Sequence, residues 1–263
     1  MIATSEIEIL DRASVLSNPL ESFSRLTSTE GALLLLEKPY AETSFFMVNR
    51  IRSAITRATG IRKIKCGHAG TLDPLATGLL IIATRGKTKA LMGLIGMDKT
   101  YLLRMRFGVT SRSFDLEQPM EFCEGAERLT EAGVRKAIES LPGEHNQMPP
   151  IFSAIKQKGQ PVYIRARAGK DVTMVARVVQ VHEAEVVSIN LPEVTFRVRV
   201  SKGTYVRSIV RDLAASLGTC GLLIDLVRER IGEWSVDDAL TLTEAIGILD
   251  EAKREHFDPV HHS

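Results

Sequence analysis

The sequence predicts an α+β fold, and three observations lead to it. Short apolar runs of strand length recur along the chain, and one of them, Val194–Val200 (VTFRVRV), alternates strictly between apolar and polar. Between such runs lie segments with apolar residues at helical spacing, such as Phe45, Val48, Ile51 and Ile55. The two kinds follow one another without a regular strand–helix–strand rhythm, which argues against a doubly wound sheet.

Residues 1–30 are rich in Ser, Thr and Glu with weak periodicity, and read as an N-terminal extension holding one short helix. Gly31 opens the apolar run Ala32–Leu36, stopped at Lys38-Pro39, which reads as a buried strand. Thr43 or Ser44 caps the next helix, and Gly60 follows its end. Cys66–Pro74 reads as a glycine-rich loop, Leu79–Ala83 as a strand, Thr88–Ile95 as a helix and Thr100–Phe107 as a strand. Thr130 caps a helix that runs to Leu141 and stops at Pro142-Gly143, and Pro149-Pro150 fix an extended stretch. The valine-rich Val172–Ile189 reads as two strands, and Val194–Val200 as a half-buried one. Ser201–Thr204 is a turn that caps a helix over about Tyr205–Leu217, closed by Gly218. Leu222–Arg228 is the last strand and Leu242–Ala252 the terminal helix.

The 263 residues suffice for a sizeable core, and no apolar run approaches the roughly 18 uncharged residues of a membrane span. The N-terminus carries acids where a secretory signal needs basic residues. Three cysteines, Cys66, Cys123 and Cys220, are odd in number and form no CxxC pair, which argues against a disulfide framework or a zinc site and for a reducing cytoplasm. Net charge is only +2, yet Arg50–Arg106 holds twelve Lys/Arg against the two acids Asp73 and Asp98. That uneven basic centre suits a polyanion partner, and equally a solvated basic surface.

The chemistry concentrates in Gly67–Leu80 (GHAGTLDPLATGLL). Its glycines permit tight turns and close approach of a ligand, and Pro74 fixes the chain just after Asp73. An ionisable carboxylate thus stands on a rigid loop immediately before a buried strand, where functional groups concentrate. On residue types alone, Asp73 could also cap a turn and His68 be a surface residue.

This segment resembles the catalytic signature GHxGxLDPxAxGxL of the TruB family of transfer RNA pseudouridine synthases, and meets every named position. Four further blocks resemble the same family in the same order. Glu37–Ser44 is similar to DKPxGxTS, with Ala41 in place of the glycine. Lys99-Thr100-Tyr101 with Gly108-Val109-Thr110 and Asp115 is similar to the KxY…GxxT block, with Ser111 and Ser113 where threonines are usual. Gln147–Lys156 with Gly159, Tyr163, Ala166 and Arg167 is similar to QxPPxYSAxKxxGxxxYxxAR, with Phe152 for the tyrosine. Ser201–Ser208 is similar to SKGTYIRS, followed by Leu226, Arg228 and Gly232 placed as in the family's LxR…G tail. The resemblance spans residues 31–245.

It implies the pseudouridine synthase fold, a long mixed and mostly antiparallel sheet flanked by helices. It implies isomerisation of the T-loop uridine of transfer RNA, position 55, without cofactor or metal. Asp73 is then the catalytic carboxylate, Arg207 the arginine paired with it, and Tyr101 the ring that stacks on the target base. Attack at C1′, attack at C6 and proton abstraction to a glycal all suit such a carboxylate. The uridine must be everted first, and His68 resembles the histidine that enters the RNA loop in its place. Lys38 is placed to contact the RNA or the active-site region. Tyr205 either lines the pocket or packs the helix, and Leu226 helps to wall the pocket. Arg62, Lys63, Lys65, Lys87 and Lys89 are candidates for phosphate contacts.

The expected organisation is an extension over 1–30, the catalytic domain over 31–245 and a short tail over 246–263 where relatives carry a PUA-type domain, with weaker docking on the acceptor stem. The expected partner is the transfer RNA T-stem-loop, bound by a cytoplasmic monomer without membrane contact or obligatory protein partner. Two alternatives remain: a noncatalytic RNA-folding factor, and a guide-RNA-dependent synthase of the dyskerin branch.

Overall fold

A computed structural model describes residues 8–152, 156–157, 160–161 and 174–257, with side chains for 8–152 and 174–251. The family-like positions Lys156, Gly159, Tyr163, Ala166 and Arg167 therefore lie, at least in their side chains, outside the described residues, as do Val172 and the last six residues. In chain order the elements are α1 (Arg12–Ser17), α2 (Pro19–Thr27), β1 (Leu33–Lys38), α3 (Ser44–Thr59), β2 (Cys66–His68), β3 (Thr77–Thr84), α4 (Leu91–Gly96), β4 (Lys99–Phe107), β5 (Val109–Ser111) and β6 (Met120–Phe122). There follow α5 (Glu131–Glu139), β7 (Gly143–Gln147), β8 (Lys156–Gln157), β9 (Gln160–Pro161), β10 (Arg177–Asn190), β11 (Glu193–Val200), α6 (Val206–Ser216), β12 (Gly221–Ile231), β13 (Trp234–Ser235) and α7 (Leu242–Phe257). Two compact units share them: the chain up to Met97 together with Val227 onward, and Asp98–Leu226. Among the described residues no helix is long and apolar enough to cross a membrane.

In the first unit β1 pairs antiparallel with β3, matching Leu34 to Ile82 and Leu36 to Leu80. Those four side chains face a core with Met47, Ile51 and Ile55 of α3. Leu33, Leu35, Leu79 and Ile81 face a second core on the other side of the strands, with Ala69, Leu94 and Trp234. Burial on both faces explains why this strand is a continuous apolar run rather than an alternating one. Each such leucine contributes about 1.5–3 kcal/mol. Thr43 caps α3 by accepting from the Phe46 amide, and Gly60 ends it in the left-handed conformation at φ 71°. Residues 8–27 hold two helices, not the single one expected. Asp11 and Ser14 close a capping box on α1, and Pro19 starts α2. Leu10, Val15, Phe23 and Leu26 are buried in the same core as α3, so this stretch is integral to the unit.

The expected helix over Thr88–Ile95 is two pieces, a 3-10 turn over Arg85–Ala90 and then α4. Arg85 at φ 47° starts that turn in a left-handed conformation, which excludes a regular α-helical start.

In the second unit β4, β11, β10 and β7 form an antiparallel ladder. Val194, Phe196, Val198 and Val200 are buried, and the polar residues between them are half-exposed, as the alternation of β11 requires. β10 is one 14-residue strand where two were expected. Register shifts between Val181 and Glu183 and between Val186 and Ser188 are bulges that interrupt its alternation without ending it. Val134 and Ile138 of α5 are buried, and α5 packs on β10.

The cysteine reading is corrected. Cys123 and Cys220 form a disulfide, with Cα atoms 6.3 Å apart, and Cys66 is free. An odd count excludes complete pairing but not one pair, and with that pair the cysteines no longer argue for a reducing compartment. The two turns meet through Gly108, whose carbonyl accepts the Cys123 amide and whose own amide donates to Cys220 O, both at 3.0 Å.

Candidate active site

Asp73 stands on a loop held at every second residue. Arg228 donates from its Nη2 to the Gly70 carbonyl at 3.2 Å. The Ser44 hydroxyl accepts the Leu72 amide at 2.9 Å and donates to the Leu72 carbonyl at 3.3 Å. The Lys38 ammonium donates to the Pro74 carbonyl at 3.0 Å. Arg228, Ser44 and Lys38 are all buried, at 1%, 2% and 0% exposure. Three buried side chains thus fix the backbone on both sides of Asp73, while its own carbonyl accepts the Ala76 amide in a turn. Thr71 at the surface and half-buried Asp73 alternate with the clamped positions.

The strands explain the convergence. Gly78 on β3 is the register partner of Lys38 on β1 and of Arg228 on β12. Its φ is +101°, and a Cβ there would lie 2.4 Å from the Arg228 carbonyl oxygen, so glycine is required. Arg228 also donates from Nε to the Leu79 carbonyl at 2.7 Å.

Lys38 spends its remaining protons on the carbonyls of Pro39 at 2.8 Å and Glu42 at 2.6 Å. Its ammonium is thus turned inward to three carbonyls around the Asp73 loop, and the side chain is fully buried. Burial lowers its pKa to about 8, while Glu42 and Asp73 push it up and Arg228 pushes it down. His68 is half-buried on β2, opposite Ile82. Burial first and Arg228 second lower its pKa, so the ring is neutral at pH 7, and its Nδ1 is buried without a hydrogen-bond partner among the described residues.

The second unit carries Tyr101, Tyr205, Arg207 and Leu226. Tyr101 is half-buried on β4, opposite Val198. Arg207, 3% exposed at the start of α6, lies 3.3 Å from Asp115 Oδ2 and donates to the carbonyls of Ser113 at 3.1 Å and Phe152 at 2.9 Å. Asp115 is itself buried and accepts from the Ser113 hydroxyl and the Glu117 amide. Such a pair holds a guanidinium plane in one orientation. Gln147 grips Tyr205, donating to its carbonyl at 3.1 Å and accepting its amide at 2.8 Å. The Arg177 guanidinium lies 4.6 Å from the Tyr205 ring centroid. Leu226 is buried on β12.

Residues 57–206 match the N-terminal domain of the TruB family pseudouridylate synthases. The chain is 40% identical to the tRNA pseudouridine synthase B of Phocaeicola vulgatus over 226 residues, covering 86% of this chain and 96% of that protein. The chain belongs to the TruB family. The tRNA pseudouridine synthase B of Chlorobaculum tepidum is 41% identical over 228 residues, 86% of this chain and 93% of that protein. Among solved structures, an H/ACA RNP bound to a substrate RNA matches at TM-score 0.62 and 22% identity, covering 88% of this chain and 57% of that one. An archaeal box H/ACA sRNP complex matches at TM-score 0.61 and 23% identity, covering 92% and 60%. The chain thus spans about three-fifths of the solved chains it matches, and at that identity the likeness shows the fold, the pseudouridine synthase fold expected.

As a TruB-family member the chain is an isomerase, and its signature residues fall where the folding physics needs them. In the first unit Lys38 and Asp73 are brought together around one loop, with His68 close to Arg228. In the second, Tyr205 and Arg207 adjoin at the head of α6. Four positioning groups were not assigned from the sequence: Ser44, Arg228, Asp115 and Gln147. All four stand within the family-like blocks, so the signal was present as motif letters. What was missing was the partner of each, which lies between 28 and 158 residues away.

Proposed function

We propose that this chain converts the T-loop uridine of transfer RNA to pseudouridine, with Asp73 as the catalytic carboxylate. The observation that carries this reading is the Gly70–Pro74 backbone, fixed by three buried side chains so that one carboxylate is presented in a set position. Pre-organising a reactive group in this way removes the entropy of finding the productive geometry. Isomerisation needs a carboxylate, a stacking surface and a charge to keep the carboxylate ionised. Tyr101 supplies the stacking and Arg207 the charge, the roles that the family resemblance implies. Asp115 fixes the orientation of the Arg207 guanidinium. His68, neutral and half-buried on the strand that leads into the loop, takes the place of the everted base.

The substrate is reached electrostatically. From Thr43 to Met97 the only acid is Asp73, against nine Lys/Arg. Arg62, Lys63 and Lys65 are exposed on the segment after α3, and Lys87 and Lys89 belong to the 3-10 turn that follows β3. Together they form a phosphate-binding surface. The enzyme works in the cytoplasm as a monomer, without guide RNA or an obligatory protein partner. The test is purified protein incubated with an unmodified T-stem-loop and nothing else, followed by carbodiimide mapping of pseudouridine. One modified T-loop uridine is expected. Modification only on addition of a guide RNA or a partner would overturn the stand-alone reading.

A further inference from the structure

We propose that Tyr40 and Phe45 form a stacking platform for unpaired bases of the substrate RNA, beside the loop that carries Asp73. This rests on the RNA-modifying reading above and adds a binding subsite to it. Both rings stand in solvent, Tyr40 at 56% exposure and Phe45 at 63%. Neither is needed for the helix start, because Thr43 supplies the cap of α3. Leaving two aromatic rings in water forgoes the free energy of burying them.

Their place is fixed by the contacts that hold the catalytic loop. Lys38 Nζ bonds Pro39 O and Glu42 O on one side and Pro74 O on the other, so the turn bearing Tyr40 is stitched to the residue after Asp73. Ser44, the neighbour of Phe45, is bonded to Leu72, the residue before Asp73. Tyr40 and Phe45 are therefore carried by the segments that clamp residues 72 and 74. Ala41 at φ 64° makes the turn that carries Tyr40.

Charge selects the part of the RNA that sits there. Glu37 and Glu42 flank Tyr40 in sequence and disfavour a phosphate on its ring. No acid occurs from Thr43 to Leu72, where Arg50, Arg52, Arg57, Arg62, Lys63 and Lys65 attract the backbone. A base on the rings with its phosphates towards the basic side satisfies both. Unpaired bases stack on such rings with little sequence preference.

The test compares Tyr40→Ala, Phe45→Ala and the double variant with wild type, measuring Kd for a T-stem-loop hairpin over a range of KCl concentrations. Each single change is expected to weaken binding about 5–100-fold, with the slope of log Kd against log salt unchanged, because no phosphate contact is lost. Tyr40→Phe should restore binding, and thermal melting should be unchanged. A double variant that binds like wild type overturns the platform, and so does a loss of affinity accompanied by a shallower salt slope. Pseudouridine formation by wild type on the same hairpin is scored separately. Its absence would overturn the catalytic reading, while the binding comparison still decides the platform.

Discussion

Lys38 and Arg228 are paired with the same residue, Gly78, from opposite sides of β3, and between them hold the Gly70–Pro74 backbone at both ends. The Asp73 loop is therefore placed by the sheet itself, through two buried side chains. Removing one clamp should damage turnover more than binding. Lys38→Met is expected to lower kcat about 10–100-fold with KM within about threefold of wild type, read by steady-state pseudouridine formation.

The same lysine gives a pH signature. Its pKa is lowered to about 8 in the folded chain, chiefly by burial, against 10.5 as the ordinary value. Below about 8 the ammonium is charged in both folded and unfolded chains, and folding bears the cost of burying it in full. Between about 8 and 10.5 the folded chain releases the proton while the unfolded chain keeps it, so stability rises with pH from this group. Urea unfolding at pH 7.5 and 10 should show wild type gaining roughly 1–3 kcal/mol relative to Lys38→Met across that window. A constant difference would contradict the burial account.

Ala41 occupies a left-handed conformation, φ 64°, where the family pattern has glycine. The turn survives the substitution at a cost in backbone strain of about 1 kcal/mol. Ala41→Gly relieves that strain but frees the unfolded chain. The net expected gain is up to about 1 kcal/mol, seen as a rise in Tm of roughly 2–4 °C for a chain of this size.

Asp115→Asn removes a buried carboxylate partner of Arg207. Breaking that buried ion pair is expected to cost about 3–5 kcal/mol, measured by urea unfolding, together with loss of pseudouridine formation. Retention of both would show that the pair is dispensable.

The Cys123–Cys220 bridge closes a separation of 97 residues. Reduction should cost roughly 2–4 kcal/mol in stability. Cys123→Ser should show the same loss and make melting insensitive to dithiothreitol. Thiol titration of the oxidised, unfolded chain should find one free cysteine, Cys66; three would contradict the bridge.

Much of this was legible in the sequence, for physical reasons that can be named. Ala32–Leu36 announced a strand covered on both faces, and VTFRVRV a strand with one wet edge per pair of residues. Thr43, Gly60 and Thr130 marked helix ends because capping is a local interaction. The failures share a different cause. The alternation within β10 was broken by bulges, which depend on its pairing with β11. The second N-terminal helix and the disulfide depend on contacts made far along the chain. In the site, Asp73 could be read from its motif. The burial of Lys38 could not, because whether a lysine meets RNA or three carbonyls depends on the loop folded over it.

The central claim is that Asp73, on its clamped loop, carries out the isomerisation. The most direct measurement is carbodiimide mapping of transfer RNA after incubation with wild type or Asp73→Asn, with Kd for the T-stem-loop measured alongside. Pseudouridine at the T-loop uridine with wild type, none with Asp73→Asn and comparable binding by both is the expected result. Undiminished modification by Asp73→Asn, or none by wild type, would contradict it.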